Sequence, residues 1–520
     1  MSGLFQTFNI ARTGMYATQN KINNASHNIA NAATEGYSRQ NVNVSATNPY
    51  TLPGIGQIGT GVEIDSITRT RDGYLDSQIR YENSLSGKFE SANTVLEQVE
   101  IIFLEPSDTG LNTVMNEMWT SWQELSKNPE NSNARTITTQ NALTFTDTLN
   151  HMTNQLETVV KDTISLSESK VYDANSMLNQ INDLNDQIYR VKLRNLEPND
   201  LMDQRDLLID KLSSIVDINT KETAFGSIEI TNNETGTILL SSNPEELPEG
   251  KLNVIRDIQP DGSGNFTVTM AKNGDINDVI TFTASTDFKA GDIVFMDPSD
   301  PTDITAANLT EGELAGQMES IDSVHKYEDQ LDNLAKSLAM SINTIHSDGG
   351  IDFFTSSDGN EINAKNITVN QDILGDVSLV NTGATPTSSE GDGSRALAIA
   401  QLRNGNYPIN DIDDFQTYID DNYDPIAMTL NSDTSGTTFD GYYKDVVAKV
   451  GIDAQAAQRG LENQGNLILQ LEQRRESISG VSIDEEVANL VQLQTAYQAN
   501  AKVMSTVTLM LDTLINRMGL

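Results

Sequence analysis

The sequence predicts an α+β multidomain protein: a long-helix bundle built from discontinuous segments, with inserted β and mixed outer domains and coiled-coil helices at both termini. Three observations carry this. At 520 residues the chain is too long for one core and calls for several folded units. Apolar residues recur at heptad spacing at each extreme end. Between the ends, the hydrophobic period changes from helical to alternating near residue 217 and back again near 311 and 441.

The N-terminal unit, 1–60, is expected to be an assembly helix followed by an extended arm. Leu4, Phe8, Ala11, Met15, Thr18, Ile22, Ala25, Ile29 and Ala32 are spaced alternately four and three apart, a seam that predicts a helix over 4–32, about 45 Å long. Residues 61–216 form the first part of the bundle after a short strand-like piece, 62–64. Trp119 and Trp122 share a helix face there and are assigned to the bundle core. Glu197-Pro198-Asn199-Asp200 breaks the helical pattern, and Asp203, Arg205 and Asp206 beyond it read as a helix-surface ion-pair run.

From 217 to 310, short β-branched runs separated by Gly, Asn and Asp predict a β-rich outer domain, expected to point outward and to add little to assembly. Helix returns at 311–350, with Leu331, Leu334, Leu338, Ile342 and Ile345 as the buried stripe. Residues 351–440 are a mixed outer insert with one helical stretch, 396–402, and 441–479 complete the bundle. The last unit, 480–520, opens with a break at Gly480, a capping Ser482 and a capping-box partner, Glu485. One seam runs Ile483, Val487, Leu490, Gln494, Tyr497, Ala501, Met504, Thr508, Leu511, Ile515, Met518. A second, offset seam contains Leu493, Ala496, Val503, Val507, Met510 and Leu514. A helix with two seams needs more than one neighbour, and neither terminal helix is expected to find its partners within a lone subunit.

The formal net charge is −41. Residues 1–60 carry a net +2 and 480–520 a net −2, so 61–479 hold the whole excess. Near-neutral ends on an acidic body fit ends that are buried; helices with polar, uncharged faces would give the same count. So acidic a chain repels phosphate backbones and anionic lipid, which argues against nucleic-acid and membrane partners. There is no cysteine, hence no disulfide or Cys-based metal site. No apolar run is long enough to span a bilayer, and the first 30 residues lack the apolar core of a cleavable signal peptide.

The search for chemistry returns little. His27, His151, His325 and His346 are the only histidines, and none lies in a zinc-protease motif. His346, near a helix end, is placed to bond orphan carbonyls. The loop Asp411 to Asp414 is acidic but lacks the order of a calcium loop. No nucleotide-binding or nucleophile-elbow motif occurs. The expectation is a structural protein, not an enzyme, with no cofactor, metal or catalytic residue.

The run Asn28 to Gln40 (NIANAATEGYSRQ) resembles the N-terminal signature of the bacterial flagellar axial family of rod, hook and hook-associated proteins, with Glu35 where that signature has Pro. Ile478 to Val491 (ISGVSIDEEVANLV) and Gln494 to Ala501 (QTAYQANA) resemble its C-terminal signature. Pro198 to Asp206 (PNDLMDQRD), Gly312 to Gly316 (GELAG) with Asn343 to His346 (NTIH), and Gly391 to Asn404 (GDGSRALAIAQLRN) are similar to runs of the hook-associated members.

The resemblance implies a self-assembling adapter between hook and filament. It would be a ring of subunits with the termini in an inner tube, exported unfolded through the flagellar type III apparatus and located outside the cell. Its implied partners are further copies of itself, the hook protein, a second hook–filament junction protein, and an export chaperone at the C-terminal helix. The expected assembly interface is Leu4, Phe8, Ala11, Met15, Ile22, Ala25, Ile29, Ile483, Val487, Leu490, Tyr497, Ala501, Met504, Leu511, Ile515 and Met518. Val503, Val507, Met510 and Leu514, on the second seam, are the expected chaperone contacts. The alternative is a secreted flagellar scaffold displaying an adhesive or enzymatic insert.

Overall fold

The structure is a computed structural model that describes all residues except 1, 53, 55, 104–109, 242–250, 263, 285–287, 297–299, 301, 348–349, 386, 411 and 515–520. The chain begins with α1 (Ser2–Asn31), then β1 (Gln40–Ala46), a small hairpin β2 (Tyr50–Leu52) and β3 (Gly56–Ile58), and β4 (Val62–Arg69). β4 returns antiparallel to β1, so the expected extended arm is a two-stranded ribbon. The strand-like piece read at 62–64 opens β4, whereas the alternating Asn, Val and Ser of β1 give too weak an apolar period to be read as strand.

The body follows: α2 (Gly73–Ile102), α3 (Leu111–Lys127), α4 (Ser132–Lys192) and α5 (Asn199–Ile215). α4 has 61 residues, no proline and an Asn131 cap, and runs about 90 Å. Phe145, Leu149, Leu156, Val171, Ile181 and Ile188 are fully buried along one stripe. Both tryptophans lie in the core, Trp122 edge-on to Phe353 and Trp119 beside Phe439. α6 (Glu313–Ser347) packs on α2 and α4. Gly316 permits this: a Cβ there would lie 2.4 Å from the Lys88 carbonyl oxygen of α2.

Between α5 and α6 lie β5 (Ile218–Glu222), β6 (Ile228–Asn232), β7 (Ile238–Leu240), β8 (Lys251–Pro260), β9 (Phe266–Ala271), β10 (Val279–Ala284), β11 (Ile293–Met296) and β12 (Ile304–Ala306). They form a three-stranded sheet, β5-β6-β7, and a five-stranded antiparallel sheet, β10-β9-β8-β11-β12. Five of them, β6, β7, β9, β10 and β11, fall on the short β-branched runs Ile228 to Ile230, Ile238 to Leu240, Phe266 to Met270, Val279 to Thr283 and Ile293 to Phe295 that the sequence marks as strand. The longest, β8, was missed because Asn253, Arg256 and Asp257 interrupt its apolar residues.

One face of this region is anchored to the bundle. Ile228, Leu252, Val254, Ile293 and Phe295 belong to the same hydrophobic cluster as α4. The Asn175 side chain of α4 bonds both the carbonyl and the N–H of Leu252. Glu168 accepts two bonds from Arg256, at 2.7 and 2.9 Å. Only the far face keeps a small core of its own, formed by Ile255, Val268, Met270, Val294 and Met296.

After α6 come β13 (Phe354–Ser356), β14 (Ile367–Val369), α7 (Gln371–Gly375), α8 (Ser394–Gln401), α9 (Ile412–Asn422), β15 (Tyr423–Asp424) and β16 (Thr429–Leu430). Residues 412–414, assigned to an acidic loop, open helix α9; Asp411 lies outside the described residues. His346 is buried and neutral in its bonding: Nδ1–H donates to the Ile351 carbonyl and Nε2 accepts from the Asn381 N–H. The chain ends with α10 (Phe439–Ser479), antiparallel to α2, and α11 (Ile483–Asp512).

Candidate functional site: the paired chain ends and their joint to the body

α1 and α11 pack on each other, antiparallel. Two contacts set the direction. Asn28 Nδ2 donates to Glu486 Oε1 at 3.1 Å, and the Asn500 side chain lies over Gly14, where a Cβ would meet it at 3.2 Å. The chain ends therefore find each other within one subunit, which corrects the expectation that neither has an internal partner. The α1 seam is where the sequence placed it. Ala11, Thr18 and Ala25 are buried, and Leu4, Phe8, Met15, Ile22 and Ile29 are half-buried.

The α11 seam is partly displaced. The face turned to α1 runs Glu486, Leu490, Leu493, Tyr497, Asn500, Met504, Val507, Leu511, again alternately four and three apart. Leu490, Tyr497, Met504 and Leu511 are common to both readings. The intervening positions fall one residue earlier, at Leu493, Asn500 and Val507 instead of Gln494, Ala501 and Thr508. One residue turns a helix by about 100°, so Ile483 and Val487 face outward and are exposed, while Ala501 stays half-buried at the margin. Val507, assigned to the free seam, is 5% exposed; Val503, Met510 and Leu514 do remain exposed. Ile515 and Met518 lie outside the described residues. Glu486 and Asn500 were missed because a polar residue on a seam carries no hydrophobic signal.

Two helices cannot cover each other all round. Phe5, Ile10 and Tyr16 of α1 and Val491, Val503, Leu509 and Met510 of α11 are left exposed. Tyr16 is 68% and Leu509 67% exposed.

The pair meets the body at a buried polar joint. Gly36, at φ +76, turns the chain out of α1 where a side chain would be strained. Asn28 then holds the arm, its Nδ2 donating to the Gln40 carbonyl at 3.0 Å and its Oδ1 accepting from the Gln40 N–H at 3.1 Å. The Arg39 N–H donates to the Ser479 carbonyl at the end of α10, and the Thr70 N–H to the Arg39 carbonyl. Ser482 caps α11 through the Glu485 N–H. The Glu485 carboxylate turns to Arg39, at 3.6 Å, so one half of the expected capping box forms.

Below the arm lies one face of α5. Asp203 accepts the Ser38 N–H at 3.0 Å and Arg69 Nη1 at 2.9 Å. Asp206 meets Arg69 at 2.6 Å, Arg71 at 3.4 Å and Arg80 at 3.8 Å. Asp210 meets Arg80 at 2.7 Å and Arg475 at 2.8 Å. Asp200 takes the Gln40 side-chain amide at 2.7 Å. Asp203, Arg205 and Asp206 are all buried, which corrects their assignment to a solvated helix surface. Burial alone would raise the Asp206 carboxyl, but Arg71, Arg69, Arg80 and Arg205 outweigh it and hold it below the usual range. At Asp203 burial wins over Ser38 and Arg69, and its value is raised. Arg205, on the other side of α5, donates to Asn185 Oδ1 and the Gly226 carbonyl; burial lowers it to about 10.

A multi-helical body carrying its own two chain ends as a half-covered helical pair is the build of a structural protein. Comparison with known proteins gives its family. The family model described as flagellar hook-associated protein FlgK helical domain matches residues 96–362, and that described as flagellar basal body rod FlgEFG protein C-terminal matches 472–518. Flagellar hook-associated protein 1 of Bacillus subtilis is 31% identical over 549 residues, covering 100% of this chain and 99% of that one. Its counterpart in Salmonella typhimurium is 24% identical over 553 residues, covering 98% and 99%. A solved structure, the flagellar hook junction protein FlgK from Burkholderia pseudomallei, shares the fold with a TM-score of 0.57 at 13% identity, over 77% of this chain and 100% of that one. The chain belongs to the FlgK family of flagellar hook-associated proteins. It is accordingly a structural protein of the bacterial flagellum and not an enzyme.

Proposed function

We propose that this chain is the adapter that joins hook to filament, assembling as a ring of subunits one layer thick with α1 and α11 forming the inner tube. It is exported unfolded through the flagellar type III apparatus and acts outside the cell. Hook protein lies on one side of the ring and the second junction protein on the other. Before export, a chaperone covers the free face of α11 through Val503, Met510 and Leu514.

The observation that carries this reading is the uncovered apolar surface of the terminal pair. Phe5, Tyr16, Val491, Leu509 and Met510 stand exposed on the near-neutral part of a chain whose middle holds the whole −41. Exposed apolar patches of this kind mark interaction sites, and the ends are where neighbouring copies approach without like-charge repulsion.

The test is Leu509→Asp in the full chain, scored by swimming of a strain lacking the native protein and by ring formation in vitro. The variant should fold with an unchanged Tm, because position 509 faces solvent, yet fail to assemble or restore swimming. For the native chain, raising salt from ~0.1 M to ~0.5 M shortens the Debye length from ~10 Å to ~4 Å and should strengthen assembly. Normal swimming with the variant, or rings that dissolve as salt rises, would refute the reading.

A further inference from the structure

The chain passes between the terminal pair with its ribbon and the body at only two places, 70–72 and 480–482. Single strands at both crossings would leave the pair free to swing, unless something outside the crossings holds them. α5 lies against both. Asp203 and Asp206 take Arg69, just before the first crossing, and Asp206 takes Arg71 within it. Asp210 takes Arg475, one turn before the second crossing. Asp203 also takes the Ser38 N–H, and Asp200 the Gln40 amide, from the arm between them.

These carboxylates are three and four residues apart, so they form one ridge on one helix. The groups they hold come from β4, α2, α10 and the arm. Arg71 is tied a second time, to Asp76 at 2.7 Å. The concentration of arginine is notable in a chain with 33 basic against 74 acidic residues.

We propose that Asp203, Asp206 and Asp210 are positioning residues that lock the angle between the terminal helix pair and the body. They bind no ligand and do no chemistry. The guanidinium groups are planar and multiply bonded, so each fixes direction as well as distance. The lock joins segments far apart in sequence, so it closes only when the arm, β4 and the end of α10 have all arrived on α5. For assembly, the consequence is that every subunit presents its ends at the same angle; that consequence rests on the ring reading above, whereas the lock itself does not.

The chain has no cysteine, so two introduced cysteines can carry the only spin labels. Asn489→Cys on α11 and Glu90→Cys on α2 are both exposed and lie on opposite sides of the joint. Pulsed electron resonance on the dilute full-length chain should give a single narrow separation. Asp206→Asn should broaden it while helix content measured by circular dichroism stays unchanged. Should that variant lose helix content, Arg69→Met, which severs the β4 tie to Asp203 and Asp206, gives the decision by the same broadening. Arg69→Lys, which keeps a cation there without the planar fork, should narrow the distribution only in part. A distribution that stays narrow in folded Asp206→Asn or in Arg69→Met would overturn the proposal. Because the experiment uses monomers, its failure is separate from any failure of ring assembly.

Discussion

α4 and α11 are both long amphipathic helices without an internal proline, yet they end in opposite states. Along α4 the apolar stripe is closed over by α3, α5, α6 and the β region, and Phe145, Leu149 and Leu156 are wholly buried. Along α11 the same kind of stripe meets, among the described residues, α1 as its main helical partner; Leu490, Tyr497 and Met504 are half-buried, and Val491, Leu509 and Met510 are open. The body completes its core from its own sequence, whereas the ends leave much of their apolar surface uncovered. A hydrophobic period tells which residues want to be covered, but not whether the cover belongs to the same chain.

The largest effect should separate these regions directly. Phe145→Ala empties a closed core and should cost about 3–5 kcal/mol, lowering the Tm of the whole body. Met504→Ala, on the open pair, should cost less than about 2 kcal/mol and leave the body's Tm in place. Equal loss of body stability from the two changes would erase the distinction.

A smaller effect sharpens it from the side of the body. Burial, aided by the nearby Arg395 charge, lowers His346 to about 4, against a bond to Ile351 that favours the proton. Between that value and the ordinary 6.5, the unfolded chain binds a proton that the folded one refuses. Stability therefore falls as pH drops from 6.5 toward 4, by about 3 kcal/mol at about 1.36 kcal/mol per unit. Denaturation of the body followed against pH should show this slope, and His346→Gln should flatten it. A slope unchanged in that variant would place the sensitivity elsewhere.

Much of this was legible in residue patterns. The seam of α1 could be read position by position because small residues, Ala11 and Ala25, alternate cleanly with large ones. The helices of the body, both tryptophans and five strands followed from periodicity. On α11 the step after Leu490 could land on Leu493 or Gln494 at equal heptad cost, and only the partner helix decides between them. The ridge of α5 was hidden for another reason. Asp203, Arg205 and Asp206 look like any solvated charged turn, since burial of an ion pair depends on arginines 125 or more residues away in sequence. Strand β8 was concealed by Asn253, whose polar side chain is buried because its Oδ1 accepts the Asn273 N–H.

The claim that the body is finished and the ends are not is tested most directly by amide hydrogen exchange on the full chain, dilute and then assembled. In dilute solution, α4 and α6 should exchange only through global unfolding. α1 and α11 should open far more readily, with protection falling from the anchored end near Asn28 and Glu486 toward Leu4 and Leu511. On assembly, that outer part should become as slow as α4. Protection of α1 and α11 equal to that of α4 in the dilute chain would contradict the account.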